Sequence, residues 1–184
     1  MQTFEVGPLE TVVTAGGVLI EQLTNEDGTK QPAIWLVANR ESVRANEQDP
    51  TVPITYQLPK GHVMPGEIPS VTAVREVGEE VGALAVAGAL LDVIEREANE
   101  YGEDGSTRRV IKRVVMFMVD RAPGPMPARE IDETAELLPL DDALVERMFY
   151  PEEGKFILEY VLSLVDPTAT EASISGVQNV PTRR

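Results

Sequence analysis

The arrangement of predicted elements indicates one domain of the α/β or α+β class. Apolar strands occur on both sides of one amphipathic helix, and short helices follow the last strand. Strands and helices in such an order bury their apolar faces as a sheet covered by helices. The chain has 184 residues, of which 42% are hydrophobic, so we expect a single domain with a substantial core.

The first strands are predicted from two apolar runs that flank a turn. Residues 11–23 (TVVTAGGVLIEQL) and residues 33–39 (AIWLVAN) are strand sequences, and NEDG at residues 25–28 is a turn. The two runs should therefore pair as a hairpin. Gly16 and Gly17 in the first run indicate a bulge or the close approach of another backbone.

Later elements are predicted by the same patterns. Residues 41–53 are polar and contain prolines, so we predict a loop that leads towards the functional site. The remaining predictions are a strand beginning at residues 91–95, a turn at residues 99–106, a strand over residues 108–119, and helices over residues 140–148 and from Pro151. The two strands around the turn should form a second hairpin.

The central helix is predicted over residues 70–81. Pro69 suits the first turn of a helix, and Gly82 is a stop signal. At about 100° per residue, such a helix has two different faces. The predicted core face carries Val71, Val74, Val77, Gly78 and Val81. The opposite face carries the carboxylates of Glu76, Glu79 and Glu80.

Carboxylates clustered on one helix face need a compensating charge. Like charges at i,i+4 destabilise a helix by about 0.2–0.5 kcal/mol per pair. Hard divalent cations take oxygen ligands, and Mg²⁺ in particular binds a few carboxylates together with substrate phosphates. The three carboxylates therefore indicate a divalent cation site. The alternative is an acidic face that is simply solvated.

The carboxylates belong to a longer pattern within residues 61–83, GHVMPGEIPSVTAVREVGEEVGA. The pattern consists of Gly61, Glu67, Arg75, Glu76, Val77, Glu79, Glu80 and Gly82 at fixed spacings. It resembles the Nudix box, so the chain is similar to Nudix hydrolases. With average residue usage, its fixed identities arise by chance with odds on the order of 10⁻⁹ per starting position. Only the last position departs from the box, because small Ala83 stands where a larger aliphatic residue is usual.

The resemblance implies a fold and its boundaries. It implies a Nudix-type α/β/α sandwich with a central mixed β-sheet, over residues 10–165. Residues 1–9 are then an N-terminal segment and residues 166–184 a C-terminal tail. The tail lacks the periodic apolar residues that offset ordering entropy, so we expect it to be mobile.

The resemblance also implies an activity and a cofactor. Nudix hydrolases cleave a pyrophosphate bond in a nucleoside diphosphate linked to another moiety, using Mg²⁺ or Mn²⁺. By this resemblance Glu76, Glu79 and Glu80 hold the metal. Glu67 supports the site beside Arg75, through an ion pair at the junction of loop and helix.

Further site residues are candidates rather than assignments. One carboxylate must take the proton of the attacking water. Residues 137–140 resemble the late strand of the family, in which an acidic residue shortly before that strand often does this or reaches the metal. The candidates here are Glu130, Asp132 and Glu133. The sequence does not select one of them, and we name Glu133 as the predicted catalytic residue. The predicted substrate-binding residues are Lys60, Arg40 and Lys112.

The substrate is predicted from the residues just before the box. Residues 58–62, LPKGH, resemble the lead-in of Nudix members that hydrolyse dinucleoside polyphosphates, which are our first choice. ADP-ribose, nucleotide sugars and oxidised nucleoside triphosphates are the alternatives. An alternative of another class is a non-catalytic regulatory module that binds nucleotides. Such proteins usually lose box carboxylates, whereas this chain keeps them all.

Composition excludes several other classes. The formal net charge of −15 argues against nucleic acid or an anionic membrane as partner. The chain has no cysteine and one histidine, which excludes disulfides, thiolate metal sites and a multi-histidine site within one chain. Without a secretory or membrane-spanning pattern, we expect a cytoplasmic protein with a small-molecule nucleotide substrate, as a monomer or homodimer.

We predict that Lys60 acts on substrate rather than on folding. It stands one residue before the box, where its ammonium can offset the charge of a polyphosphate. Replacement Lys60→Ala should lower kcat/KM about tenfold or more, by losing a charge-assisted contact of about 1.5–3 kcal/mol. Its melting temperature should hardly change. Steady-state kinetics and a melting curve on the variant test this, and an unaltered kcat/KM or a collapse in stability would each reject it.

Overall fold

The computed structural model describes residues 9–101, 105–125, 134–141, 143–161 and 163. The strands in these residues are β1 (Glu10–Thr24), β2 (Lys30–Ala38), β3 (Tyr56–Gln57), β4 (Lys60–His62), β5 (Ala85–Tyr101), β6 (Thr107–Arg121) and β7 (Ala135–Pro139). The helices are α1 (Arg40–Gln48), α2 (Pro69–Glu76), α3 (Leu144–Arg147) and α4 (Pro151–Phe156). Single π-helical turns, Val77–Val81 and Ile157–Val161, continue α2 and α4.

The described strands form one mixed sheet, which confirms the α/β class with flanking helices. The strand order is β3-β2-β1-β6-β5, and β4 and β7 pair with β1 and β2. β1 runs parallel to β6, whereas β4 is antiparallel to β1 and β5 is antiparallel to β6. Both predicted hairpins are confirmed, since β1 neighbours β2 and β5 neighbours β6. In the described part of the chain, no helix is both long and apolar enough to span a membrane.

The chain divides into two compact units that alternate along the sequence. One unit comprises Met1–Glu21, Trp35–Val37 and Leu58–Glu136, and contains the whole box. The other comprises Gln22–Ile34, Ala38–Gln57 and Leu137–Arg184. In this second unit the amide of Phe149 donates to the carbonyl of Tyr56, and the amide of Leu140 donates to the carbonyl of Pro32.

The core of the first unit gathers around the end of the box helix. The cluster consists of Leu19, Val77, Val81, Ala83, Ala85 and Val119, and Trp35 and Phe117 pack against it. Ala83 is completely buried here. The one departure from the box therefore lies inside the core, where a small side chain is accommodated, and removes no carboxylate.

The predicted close approach at Gly16 and Gly17 is confirmed. A Cβ on Gly16 would lie 2.7 Å from the carbonyl oxygen of Pro59, and one on Gly17 would lie 2.5 Å from Cγ2 of Val77. Both positions lack a side chain because the segment before the box and the box helix itself press on β1. The two glycines thus let the box approach the sheet.

The prediction of a loop at residues 41–53 is wrong for its first part, which is helix α1 (Arg40–Gln48). The side-chain oxygen of Asn39 accepts hydrogen bonds from the amides of Glu41 and Ser42, which caps the helix. The sequence is rich in good helix formers. None of its residues is buried, so the sequence has no apolar periodicity from which this helix could be predicted.

Two other boundaries differ from prediction. β5 begins at Ala85 and reaches Tyr101, so it takes in the predicted strand and part of the predicted turn. The helix predicted over residues 140–148 is shortened to α3, although Asp141 does accept a hydrogen bond from the amide of Ala143. The helix predicted to begin at Pro151 does so. The predicted tail, residues 166–184, lies outside the described residues.

Candidate functional site

The box begins in β4 and continues through a short loop into α2. Glu67 fastens this loop, because its Oε2 accepts a hydrogen bond from the amide of Met64 at 3.1 Å. Its own amide donates to the carbonyl of Met64 at 2.9 Å. Pro69 is the first residue of α2. Ile68, which precedes it, makes no side-chain hydrogen bond that caps the helix. The loop is thus closed by Glu67 rather than by a capping hydroxyl.

The predicted helix over residues 70–81 is present, with a π-helical last turn. Gly82 ends it in the left-handed conformation, φ 75°, and its amide donates to the carbonyl of Gly78. A left-handed residue after the last turn is a common helix ending, and glycine adopts it without a Cβ penalty. The stop signal at Gly82 is therefore confirmed.

The predicted division of the helix into faces is partly wrong. Val77 and Val81 are buried as expected, but Val71 is 51% exposed. The residues of α2 that are buried are Thr72, Ala73 and Glu76. Glu76 therefore lies on the buried side of the helix, together with Thr72 and Ala73.

Arg75 is the centre of the site. Its Nε and Nη2 form a two-pronged contact with the carboxylate of Glu67, at 3.0 and 3.2 Å. Its Nη1 donates to Oε1 of Glu76 at 2.6 Å and to Oε2 of Glu79 at 2.8 Å. Its Nη2 also donates to the backbone carbonyl of His62 at 3.1 Å. One guanidinium therefore binds three box carboxylates and ties the helix to β4.

Gly61 provides the space in which Glu76 lies. A Cβ on Gly61 would fall 2.1 Å from Oε1 of Glu76 and 2.5 Å from its Oε2. Any other residue at position 61 would displace the carboxylate. The side chain of Glu76 is only 11% exposed, whereas that of Glu79 is 41% exposed. Glu79 is thus much the more accessible to water of these two carboxylates.

Glu80 is held by the backbone of β4. Its Oε2 accepts a hydrogen bond from the amide of Lys60 at 2.9 Å. Neighbouring side chains in a strand point to opposite faces of the sheet, so Lys60 leaves on the face opposite to Gly61 and Glu76. The Nζ of Lys60 donates to the carbonyl of Leu58 at 3.4 Å. The main-chain amide of Lys60 thus joins β4 to the carboxylate helix.

Electrostatics in the site favour the charged form of Glu67. Hydrogen bonds from Arg75, and then from Thr72 and the amide of Met64, lower the pKa of Glu67 from 4.5 to about 2. In return, the hydrogen bond to Glu67, with those to Glu76 and Glu79, raises the pKa of Arg75. Both partners are therefore ionised throughout the physiological pH range.

The residues fit a hard divalent cation in their chemistry. Glu76 and Glu79 both accept hydrogen bonds from one positively charged nitrogen, Nη1 of Arg75, so their carboxylates lie close to each other and would be available to hold a cation. Glu80 adds a third carboxylate on the next turn. Among the described residues, no three acidic or histidine side chains already converge as a ready cation site.

The other predicted site residues fall in several places. Arg40 belongs to the second unit, where it is the first residue of α1. Lys112 lies in β6, between Val12 of β1 and Arg96 of β5. The acidic candidates Glu130, Asp132 and Glu133 lie outside the described residues.

Sequence reasoning missed the main-chain partners of the site. The carbonyl of His62 and the amides of Lys60 and Met64 each bind a box side chain. Backbone groups are the same at every position, so they give no sequence signal. They bind the box side chains only because β4 lies beside the helix. The side-chain hydrogen bond from Thr72 to Glu67 was also missed.

Comparison with known proteins identifies the class. Residues 14–160 match the NUDIX domain, so the chain belongs to the NUDIX domain family. The mutator protein MutT4 of Mycobacterium tuberculosis is 29% identical over 155 residues, covering 83% of this chain and 55% of that protein. An 8-oxo-(d)GTP phosphatase of Mycolicibacterium smegmatis is 30% identical over 159 residues, covering 85% and 43%. The chain thus spans about half the length of these curated relatives.

A solved structure supports the fold independently. The solution structure of the E. coli ORF135 protein superimposes with a TM-score of 0.55 at 18% identity. The superposition covers 88% of this chain and 96% of that protein. At this level of identity the likeness concerns the fold alone, and it agrees with the mixed sheet and flanking helices described above.

The lowered pKa of Glu67 predicts a pH dependence of stability. Since folding lowers this pKa, the ionised carboxylate stabilises the protein above pH 4.5, and this contribution is lost as the pH falls towards about 2. We expect Glu67→Gln to melt below the wild type at neutral pH. The gap in melting temperature should narrow as the pH falls from 4.5 to about 2. Thermal melts of both proteins across this range test it, and a constant gap would contradict the Arg75 contact.

Proposed function

We propose that this chain hydrolyses a pyrophosphate bond in a nucleotide, with Mg²⁺ or Mn²⁺ as cofactor. The observation that carries the proposal is the convergence of Glu67, Glu76 and Glu79 on Arg75, with Glu80 one residue further along the same turn. A purely structural ion pair needs one carboxylate for one guanidinium. The surplus of carboxylates is the donor set that Mg²⁺ takes together with phosphate oxygens.

The chain's own residues divide the work of this reaction. Glu76, Glu79 and Glu80 are the residues that hold the cation. A bound Mg²⁺ or Mn²⁺ neutralises pyrophosphate charge and lowers the pKa of a coordinated water. Glu67 does not need to touch substrate, because it fixes the loop and Arg75.

The proton of the attacking water goes to a carboxylate. Glu79 is a candidate base because its side chain is 41% exposed and so is open to water and substrate, unlike that of Glu76. Glu133 remains the other candidate, by resemblance to the family. Glu133 lies outside the described residues.

For the substrate we propose an oxidised purine nucleoside triphosphate. Support comes from the relative named 8-oxo-(d)GTP phosphatase, which is 30% identical over 85% of this chain. The second candidate is a dinucleoside polyphosphate, favoured by the lead-in at residues 58–62. ADP-ribose and nucleotide sugars follow. A non-catalytic regulatory module is disfavoured because every box carboxylate is present.

We predict that hydrolysis depends on Glu79 and Glu80. If each carboxylate stabilises the charge of a metal-bound transition state, Glu79→Gln and Glu80→Gln should each lower kcat about 100-fold or more. Glu47→Gln, on the exposed face of α1, is the matched control and should leave the rate unchanged. Phosphate or pyrophosphate release with Mg²⁺, and with excess chelator, measures this. Full activity in excess chelator, or in the variant that carries both Glu79→Gln and Glu80→Gln, would contradict the proposal.

A substrate panel distinguishes the candidates. It consists of 8-oxo-dGTP, dGTP, diadenosine tetraphosphate and ADP-ribose, assayed at equal concentration for kcat/KM. We expect 8-oxo-dGTP to lead. A tenfold preference for diadenosine tetraphosphate would establish the second candidate instead, and a lack of turnover on all four with intact Mg²⁺ binding would favour the binding module.

A further inference from the structure

The side chain of His62 is bound by a carboxylate from another strand. Its Nε2 lies 2.8 Å from Oε1 of Glu100, near the end of β5. The hydroxyl of Thr14 lies directly opposite His62 in the pairing of β1 with β4, yet it is buried and has no hydrogen-bond partner within the described residues. The imidazole is thus directed at a distant carboxylate rather than at its nearest polar neighbour.

Glu100 determines which nitrogen of the imidazole carries a hydrogen. Hydrogen bonds from His62 and then from Arg108 lower the pKa of Glu100, so its carboxylate is ionised and can only accept. Its Oε2 accepts from Nε of Arg108 at 2.8 Å, and Arg108 also binds Glu10 of β1. Nε2 of His62 is therefore the donor, which leaves Nδ1 for another partner. In the part of the chain that the structure describes, Nδ1 has none.

The imidazole is open to a ligand, whereas its carboxylate partner is shielded. The side chain of His62 is 56% exposed and that of Glu100 only 18%. A carboxylate that holds one ring nitrogen fixes both the tautomer and the direction of the other nitrogen. Exposed ion pairs contribute little to stability, so this arrangement is better explained by binding than by folding.

His62 lies beside the carboxylates of the box, but its side chain is on the other face of the sheet. Its carbonyl accepts a hydrogen bond from Nη2 of Arg75 at 3.1 Å, so its main chain touches the site. Gly61 faces Glu76, and neighbouring side chains in a strand point to opposite faces. Among the described strands, β4 pairs with β1 alone. An elongated ligand that begins at the carboxylates would pass the other edge of β4 to reach the imidazole.

The face of the sheet around His62 suits an anion better than the chain as a whole does. Besides Glu100, the strand register places on this face Lys60 of β4, Glu10 of β1, Arg108 and Lys112 of β6, and Asp92 and Arg96 of β5. Four of these seven side chains are cationic, whereas the whole chain has 16 Lys and Arg against 31 Asp and Glu. A phosphate group at His62 therefore meets a local excess of cations.

We propose that His62, oriented by Glu100, binds a phosphate group of the substrate and selects nucleotides with three or more phosphates. With a proton on Nδ1, the imidazole donates to a phosphate beyond the two held at Glu76, Glu79 and Glu80. A diphosphate has no such group, so His62 favours a nucleoside triphosphate or a dinucleoside polyphosphate over ADP-ribose and nucleotide sugars. Glu100 is a positioning residue. The inference rests on the proposed function in one respect, that the pyrophosphate is bound at these carboxylates.

Proton nuclear magnetic resonance tests the contact directly, because His62 is the one histidine of the chain. The imidazole signals of the untagged protein are followed between about pH 8 and pH 5, alone and with imido-bridged analogues of dGTP and dGDP in the presence of Mg²⁺. The dGTP analogue should raise the midpoint of the imidazole titration by about one pH unit, because a bound phosphate favours the charged ring. The dGDP analogue should not. No change with either analogue, or an equal change with both, would overturn the inference.

The variant His62→Gln keeps a hydrogen-bond donor for Glu100 but has no ring to protonate. It should raise KM for 8-oxo-dGTP about tenfold, the loss of one charge-assisted hydrogen bond, with little change in kcat or in the inhibition constant of ADP-ribose. Glu95→Gln is the matched control, because it breaks an ion pair with Arg113 on the opposite face of β5 and should change none of these constants. Equal losses for both nucleotides would make His62 a structural residue and reject the inference.

The positioning role of Glu100 is tested by Glu100→Gln. Without its negative partner, the imidazole should titrate about one pH unit lower, and KM for 8-oxo-dGTP should rise less than in His62→Gln. An unchanged imidazole titration in this variant would contradict the role of Glu100. If the wild type hydrolyses no nucleotide, the proposed function itself fails, whereas an active wild type whose imidazole signals ignore the dGTP analogue overturns only this inference.

Discussion

The ion pair between Arg75 and Glu67 is the contact on which the rest of the site depends. It joins the loop after β4 to the helix, and it brings the remaining nitrogen of the guanidinium to Glu76 and Glu79. Without the guanidinium, Glu76 and Glu79 would lose the positive charge that lies between them. The helix, the loop and the strand therefore form one unit of structure because one planar group with five donors reaches all of them.

Space is the second constraint, and glycine supplies it. Gly61 leaves room for the carboxylate of Glu76, and Gly16 and Gly17 leave room for the chain that carries it. Glu76 can be shielded from water only because the helix lies this close to β4. Packing and electrostatics are therefore linked, since the contact that buries the carboxylate also makes the guanidinium necessary.

The sequence was informative where chemistry fixes both residue type and spacing. The box residues, the helix and its glycine stop all followed from a pattern whose members touch one another in the structure. Helix α1 was missed because it buries no side chain, so its only signals were propensity and the cap at Asn39. The burial of Glu76 was missed because a helical projection assigns faces by hydrophobicity, whereas the buried residues of α2 are Thr72, Ala73 and Glu76. The main-chain amide that binds Glu80 belongs to Lys60, twenty positions away, and no local sequence pattern predicts such a partner.

The π-helical turn Val77–Val81 limits how this site can be transplanted. A π-helical turn contains more residues than an α-helical one, so each residue advances by a smaller angle around the helix axis. Glu79 and Glu80 therefore point in different directions from those of a regular α-helix. An engineer who copied the box onto a regular α-helix of a designed scaffold would keep every side chain and still misdirect two of the three carboxylates. The widened turn must be copied together with the residues, and so must the left-handed glycine that closes it.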